Sequence, residues 1–169
     1  MGTMNVKKLV MISLFIALQI ILTRMLAINL PTIRIGFQFL PLALTGVLFG
    51  PIYGAIAATA ANLIGVFLFP PPQGFFPGFT LTAAISGAVY GLFLYEKSKK
   101  IFNISLSVIS VSLIQLILNT VWLYMMLDVG IMVMLPGRVT TTLMMIPVQI
   151  STLSFFCNVI VARLNLNYD

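Results

Sequence analysis

The sequence predicts an all-α integral membrane protein with six transmembrane helices and both termini in the cytoplasm. Three observations carry this reading. Of 169 residues, 60% are hydrophobic and 7% are charged, whereas soluble domains carry roughly 25% charged residues. Mean hydropathy is +1.13. The apolar residues also fall in long runs, and at about 20 residues per membrane helix there is room for about five to seven spans. Such a chain is neither a soluble globular enzyme nor a disordered one, since disorder needs low hydrophobicity and high charge.

Turn residues divide the chain into six apolar segments, read together as one transmembrane domain over residues 1–169. The first covers about 6–28 and is stopped by Asn29 and Pro31. No small-residue cleavage site follows it, so it reads as a retained helix and not a signal peptide. The second, about 36–49, is short and ends at Gly50-Pro51; the third, about 52–69, is stopped by Pro70-Pro71-Pro72. The fourth, about 79–95, ends at Glu96-Lys97-Ser98-Lys99-Lys100, and the fifth covers about 101–127. The sixth, about 139–162, contains Pro147, which is expected to kink it. Segments two and three could be one helix or two, and charge decides the point. Six spans with a cytoplasmic start place Lys7, Lys8, Lys97, Lys99, Lys100 and Arg163 inside, whereas five would put the Lys97–Lys100 cluster outside.

Small residues recur every fourth position on the third helix (Ala57, Ala61, Gly65) and the fourth (Ala83, Gly87, Gly91). Such stripes let backbones approach closely where lipid offers no hydrophobic drive to association, and here they read as packing within the protein. Ser13 and Ala17 repeat the spacing on the first helix, where an outside partner is as good an explanation. Cys157, the single cysteine, reads as a small core residue. Histidine is absent, which excludes histidine catalysis, and with one cysteine the chain can form neither an internal disulfide nor a Cys/His metal cluster. No GxSxG, phosphate-binding GxxxxGK[ST] or HExxH pattern occurs.

Three basic residues depart from the positive-inside pattern. Arg24 falls near the outer end of the first helix, Arg34 in the first outer loop and Arg138 at the outer start of the sixth helix, with Asp128 the only acid on that side. Such residues either snorkel to headgroups and pair with Asp128 or backbone carbonyls, or they face an anion site open to the outside. The planar guanidinium suits the second role, because it grips a carboxylate through two parallel hydrogen bonds. Polar and aromatic groups stand around them at helical spacing. They are Gln115, Asn119, Trp122 and Met126 on the fifth helix, Arg138, Thr142, Met145 and Gln149 on the sixth, and Thr82 and Ser86 on the fourth. The loop from Gln73 to Phe79, with Phe75 and Phe76, lies just above. Together they suit a flat, anionic heteroaromatic ligand. Taken singly, Trp122 reads equally as an interface-belt residue and the amides as cross-links between helices.

The stretch Arg34-Ile-Gly-Phe-Gln-Phe-Leu-Pro41, with Gly46 and Phe49-Gly50-Pro51 through Gly54, resembles the start of a substrate-binding subunit (S component) of energy-coupling factor (ECF) transporters. Phe76-Pro-Gly-Phe-Thr-Leu-Thr-Ala83, Leu118-Asn-Thr-Val-Trp-Leu123, and Arg138 with Pro147 and Gln149 are similar to its folate-specific branch. The resemblance covers nearly the whole chain. It implies a multi-pass protein of the bacterial plasma membrane that captures folate outside the cell. Delivery would then need a membrane-embedded coupling subunit and two cytoplasmic ATPases, which use the ATP; the chain itself would need no cofactor and no nucleic acid. It also implies a ligand site drawn from Arg138, Arg34, Arg24, Asn119, Trp122, Phe75, Phe79, Thr82 and Gln149. The family's Ala-x-x-x-Ala coupling motif becomes Ser13-x-x-x-Ala17 here. Rival readings are an S component for riboflavin, thiamine or pantothenate, a lipid-modifying membrane enzyme, and a structural membrane subunit without ligand. Outer arginines disfavour cationic thiamine, pantothenate has one carboxylate and no ring, and the three acids are too dispersed for an enzyme.

Overall fold

The computed structural model describes residues 6–29, 34–71, 74–97, 100–127 and 130–164. Six helices are present among them: α1 (Val6–Arg24), α2 (Phe39–Phe49), α3 (Pro51–Leu68), α4 (Pro77–Leu94), α5 (Ile101–Leu127) and α6 (Ile131–Leu164). Segments two and three are therefore two helices. Gly50 separates them at φ +92°, a backbone conformation that glycine adopts without a Cβ clash, and Pro51 starts α3 at a position where its missing N–H costs nothing. Pro77 starts α4 in the same way, after an extended Phe76.

Three boundaries differ from the sequence expectation by three residues or more, one of them the start of α2 at Phe39 and not near Gly36. α1 stops at Arg24, not Ile28: the N–H groups of Met25 and Leu26 both donate to Ile21 O (2.9 and 3.2 Å), closing the last turn. Ile28–Asn29 (β1) then pairs antiparallel with Arg34–Ile35 (β2), Ile28 opposite Ile35, so the all-α expectation misses a two-residue ribbon. β-branched isoleucines favour this extended backbone. α6 begins at Ile131, not near Val139, and takes Pro136 and Gly137 inside the helix. There Thr140 Oγ1 donates to Pro136 O and Thr141 Oγ1 to Gly137 O, both at 2.8 Å, tying side chains to the carbonyls of that turn.

α2 is the central element, with eight of its eleven residues buried. Its Leu42, Ala43 and Val47 pack with Ala58 of α3, Tyr90 and Leu94 of α4, Ile104, Val108 and Val111 of α5, and Leu153 and Cys157 of α6. Cys157 is thus the core residue its apolar setting suggests. The small-residue stripes bring α2, α3 and α4 into backbone contact. A Cβ built on Gly87 would lie 2.3 Å from Gly54 O, and one on Gly91 would lie 2.4 Å from Pro51 Cα. Sequence spacing identifies Gly87 and Gly91; their opposite surface is Gly46, Gly54 and Pro51 rather than the stripe of Ala57, Ala61 and Gly65.

Outward surfaces are apolar, with Phe67 83% and Leu14 66% exposed. Five helices are long and apolar enough to cross a membrane, while α2, at about 16 Å, is too short to span about 30 Å of hydrocarbon. Being enclosed by protein, it still joins the two ends of the bundle. Its Phe39 lines a cavity at one end. Its Phe49 lies at the other end beside Lys8, whose ammonium sits 5.7 Å from the Phe49 ring and 3.8 Å from the Tyr53 ring. Tyr95, at the C-terminus of α4, packs under Gly50 at this same end.

Candidate functional site: a cavity ringed by two arginines

The cavity measures about 260 Å³ and draws its walls from all six helices and from the segment 74–76. It lies at the end opposite Lys8, between the C-terminal parts of α1, α3 and α5 and the N-terminal parts of α2, α4 and α6. Of the residues that the sequence singles out, Arg24, Phe75, Phe79, Thr82, Asn119, Arg138 and Gln149 all line it, together with Gln115, Thr142 and Met145. Trp122 does not line the cavity but stands behind its wall. Arg34 belongs to β2 by its backbone, and its side chain lies outside the described part of the structure, as do Gln73 and Asp128.

Hydrogen bonds hold the α4–α5 wall in register. Trp122 Nε1 donates to Thr82 Oγ1 (3.0 Å), which donates to Gly78 O (3.1 Å). One turn deeper, Gln115 Nε2 donates to Ser86 Oγ (3.2 Å), and that hydroxyl donates to Thr82 O (2.8 Å). The Trp122 indole also lies over Gly78, where a Cβ would meet its ring at 2.5 Å, and its centroid is 5.7 Å from that of Phe76. Phe76 in turn meets Phe79 edge-on at 6.2 Å. Trp122 therefore acts as a bracket that fixes the aromatic segment over the cavity.

Two features show what the cavity can hold. Arg24 of α1 and Arg138 of α6 both line it, and none of its described lining residues is Asp or Glu. Arginines on the wall of a cavity inside a membrane protein suit a negatively charged guest, which their planar forks can grip. Second, Asn119 Oδ1 is buried and accepts no hydrogen bond among the described residues. An unmet acceptor in such a place costs about 1–3 kcal/mol, so a guest with an N–H or O–H donor gains by filling it. No group of three His, Cys, Asp or Glu side chains that could hold a metal occurs among the described residues.

Apart from Arg24, sequence reasoning overlooked contributions from the first three helices. Gln19 and Thr23 of α1, Gln38 before α2 and Asn62 of α3 also line the cavity. Asn62 Oδ1 accepts from Thr80 Oγ1 at 3.2 Å, linking α3 to α4. The signal was present, since carboxamides inside apolar membrane helices mark interior sites. The position of Arg138 also needs correction. It lies about two turns inside α6 and not at its start, so the favourable field of a helix N-terminus does not reach it. Ser13 and Ala17 do not line the cavity and are exposed on α1, whose only buried residue is Ile12.

Comparison with known proteins agrees with this arrangement. A protein of Clostridium novyi (strain NT) described as folate transporter FolT is 35% identical over 146 residues, covering 86% of this chain and 84% of that protein. A folate transporter FolT of Leuconostoc mesenteroides is 29% identical over 162 residues, covering 92% and 86%. The crystal structure of FolT bound with folic acid superposes with a TM-score of 0.87 at 31% identity, covering 91% of this chain and 94% of that one. The family model for the substrate-specific component of ECF transporters matches residues 7–162. The chain thus belongs to the substrate-specific components of ECF transporters, membrane proteins that serve transport and are not enzymes.

Proposed function

We propose that this chain is the folate-capturing subunit of an ECF-type vitamin importer in the bacterial plasma membrane, and that residues 1–169 act as one substrate-binding domain. The observation that carries this is the pairing of two arginines, without a carboxylate, with a wall of Phe75, Phe76, Phe79 and carboxamides. Folate supplies the counterparts: a flat pterin, a benzoyl ring and a glutamate tail with two carboxylates. Pterin N–H groups suit Asn119 Oδ1 and the Gln115 and Gln149 amides, while Arg138 and Arg24 take the tail. The match to relatives described as folate transporters, and to a homologue crystallised with folic acid, supports the same assignment. At about 260 Å³ the cavity is below the roughly 300–1,000 Å³ usual for such sites. The ligand therefore reaches into the segment 74–76 and toward the ribbon that carries Arg34.

The ends of the bundle support an orientation. Lys8 and the α4–α5 link with Lys97 and Lys100 gather away from the cavity, and the positive-inside rule assigns that end to the cytoplasm. The cavity then opens outward, the chain makes six passes (α2 within the protein interior) and both termini are cytoplasmic. Without a phosphate-binding loop, the chain depends on a membrane-embedded coupling subunit and two ATPases for energy. Ser13 and Ala17, exposed on α1, offer the coupling subunit a surface of close approach.

Isothermal titration of the purified protein in detergent with folic acid tests the proposal. One saturable site for folic acid is expected, with no competition from riboflavin or pantothenate. Saturable binding of either of those vitamins with none of folic acid would overturn it.

A further inference from the structure

Gly65 is buried on α3, one turn after Ala61 and Asn62, both of which line the cavity. Its neighbour is not another helix backbone, as at Gly87, but the side chain of Arg24. A Cβ placed on Gly65 would lie 3.3 Å from Arg24 Nε and 3.8 Å from both Arg24 Cγ and Nη2. The Arg24 side chain thus wraps around the space that any other residue at 65 would fill. On the facing side Arg24 lines the cavity, so its guanidinium is held between the bare backbone of α3 and the guest.

We propose that Gly65 is a positioning residue for Arg24, and that its missing side chain sets how well the site discriminates ligands with a glutamate tail from ligands without it. The proposal rests on the folate reading above. A methyl group at 65 crowds the Arg24 Nε by a few tenths of an ångström, which weakens bidentate geometry without removing the charge. A branched side chain there occupies the seat and drives the guanidinium out. Because the pterin end is held by other helices, the loss is confined to the tail.

The test compares folic acid with pteroic acid, which lacks the glutamate, on the full-length protein and its variants in detergent. Arg24→Ala is expected to weaken folic acid about tenfold or more and to leave pteroic acid nearly unchanged. Gly65→Ala should weaken folic acid by a smaller factor, about two- to fivefold, again sparing pteroic acid. Gly65→Val should approach the loss seen for Arg24→Ala, and combining the two substitutions should add nothing further, since the seat matters only while Arg24 sits in it. Thermal melting and pteroic acid affinity report whether each variant is folded. Equal losses for both ligands in Gly65→Ala, or additive losses in the double variant, would overturn the role of Gly65. Absence of folic acid binding by the parent protein would instead overturn the proposed function, and this inference with it.

Discussion

Replacing Gly87 by alanine tests the packing that places the cavity walls. The added Cβ would lie 2.3 Å from Gly54 O, 2.7 Å from Gly54 C and 3.1 Å from Ala58 Cβ. Ordinary contact needs about 3.4 Å or more, so α3 and α4 must separate by about 1 Å. Neither backbone atom can swing away as a flexible side chain would, and α2 is wedged against the same surface through Gly46 and Gly91. Overpacking of this kind costs about 1–3 kcal/mol, and a backbone collision belongs at the upper end. The protein supplies its own reporter, because the sole cysteine, Cys157, is buried in the core among α2, α4 and α5 residues. Its reaction with a fluorogenic maleimide on heating follows unfolding directly. Gly87→Ala should melt well below the parent, whereas Gly130→Ala, where a Cβ meets nothing within 4 Å, should melt like the parent or slightly above it. Equal melting of Gly87→Ala and the parent would refute the backbone contact between α3 and α4.

Arg138→Ala should weaken folic acid by about ten- to a hundredfold, the value of a charge-assisted hydrogen bond of roughly 1.5–3 kcal/mol; Arg138→Lys should recover only part of the loss because it keeps charge but not the fork. Titration with pteroic acid, expected to be insensitive to both changes, checks that assignment. Cysteine in place of the exposed Pro70 should react with an impermeant maleimide on intact cells, and cysteine in place of the exposed Lys97 only after permeabilisation; the reverse pattern would invert the orientation. Ala17→Trp should abolish uptake by the assembled transporter and leave folic acid binding by the isolated subunit unchanged. Loss of that binding would move Ala17 out of the coupling surface.

The parts of the fold that were legible in the sequence are those where one local signal decides the outcome. The fifth helix has charged residues before it and no proline or glycine within it, and its expected bounds coincide with α5. Gly50-Pro51 marks the break between the second and third helices because proline at N1 and glycine at positive φ have few other uses, whereas Pro77, read as part of the loop before the fourth helix, starts α4. Pro136-Gly137 carries the same residue types and lies inside α6. Which way such a pair resolves depends on threonine hydroxyls one turn later and on tertiary packing, neither of which hydropathy reads. The cavity was half visible. Arg138, Asn119, Thr82 and Gln149 stood out through helical spacing on the last three helices. Gln19, Gln38 and Asn62 did not, because each is a lone amide whose neighbours arrive from other helices. Trp122 was visible as a residue type but not in its packing against α4. Only the bond to Thr82 and the contact with Gly78 separate a bracket from a ligand contact.

The earlier start of α6 changes the electrostatic account of the site. A helix N-terminus stabilises an anion within about one turn, through its unpaired N–H groups and the macrodipole. With Arg138 about two turns inside the helix, that contribution falls outside the cavity. α1 points the other way, presenting its C-terminus near Arg24. There the helix field favours the arginine and opposes an anion. In the proposed folate reading, attraction for a negative guest comes from the guanidinium groups together with the N-termini of α2 and α4, which border the cavity at Phe39 and Phe79, and the cost of Arg24 is lowered in two ways. Arg24 sits in the last turn of α1, where its charge complements the helix terminus, and against Gly65, where nothing competes for its space. Arg138 lines the same cavity from α6, and no Asp or Glu stands among the described lining residues. In the proposed folate reading, charge held at two points on separate helices would distinguish a guest by the spacing of its own charges, which a diffuse positive surface or a single helix end cannot do.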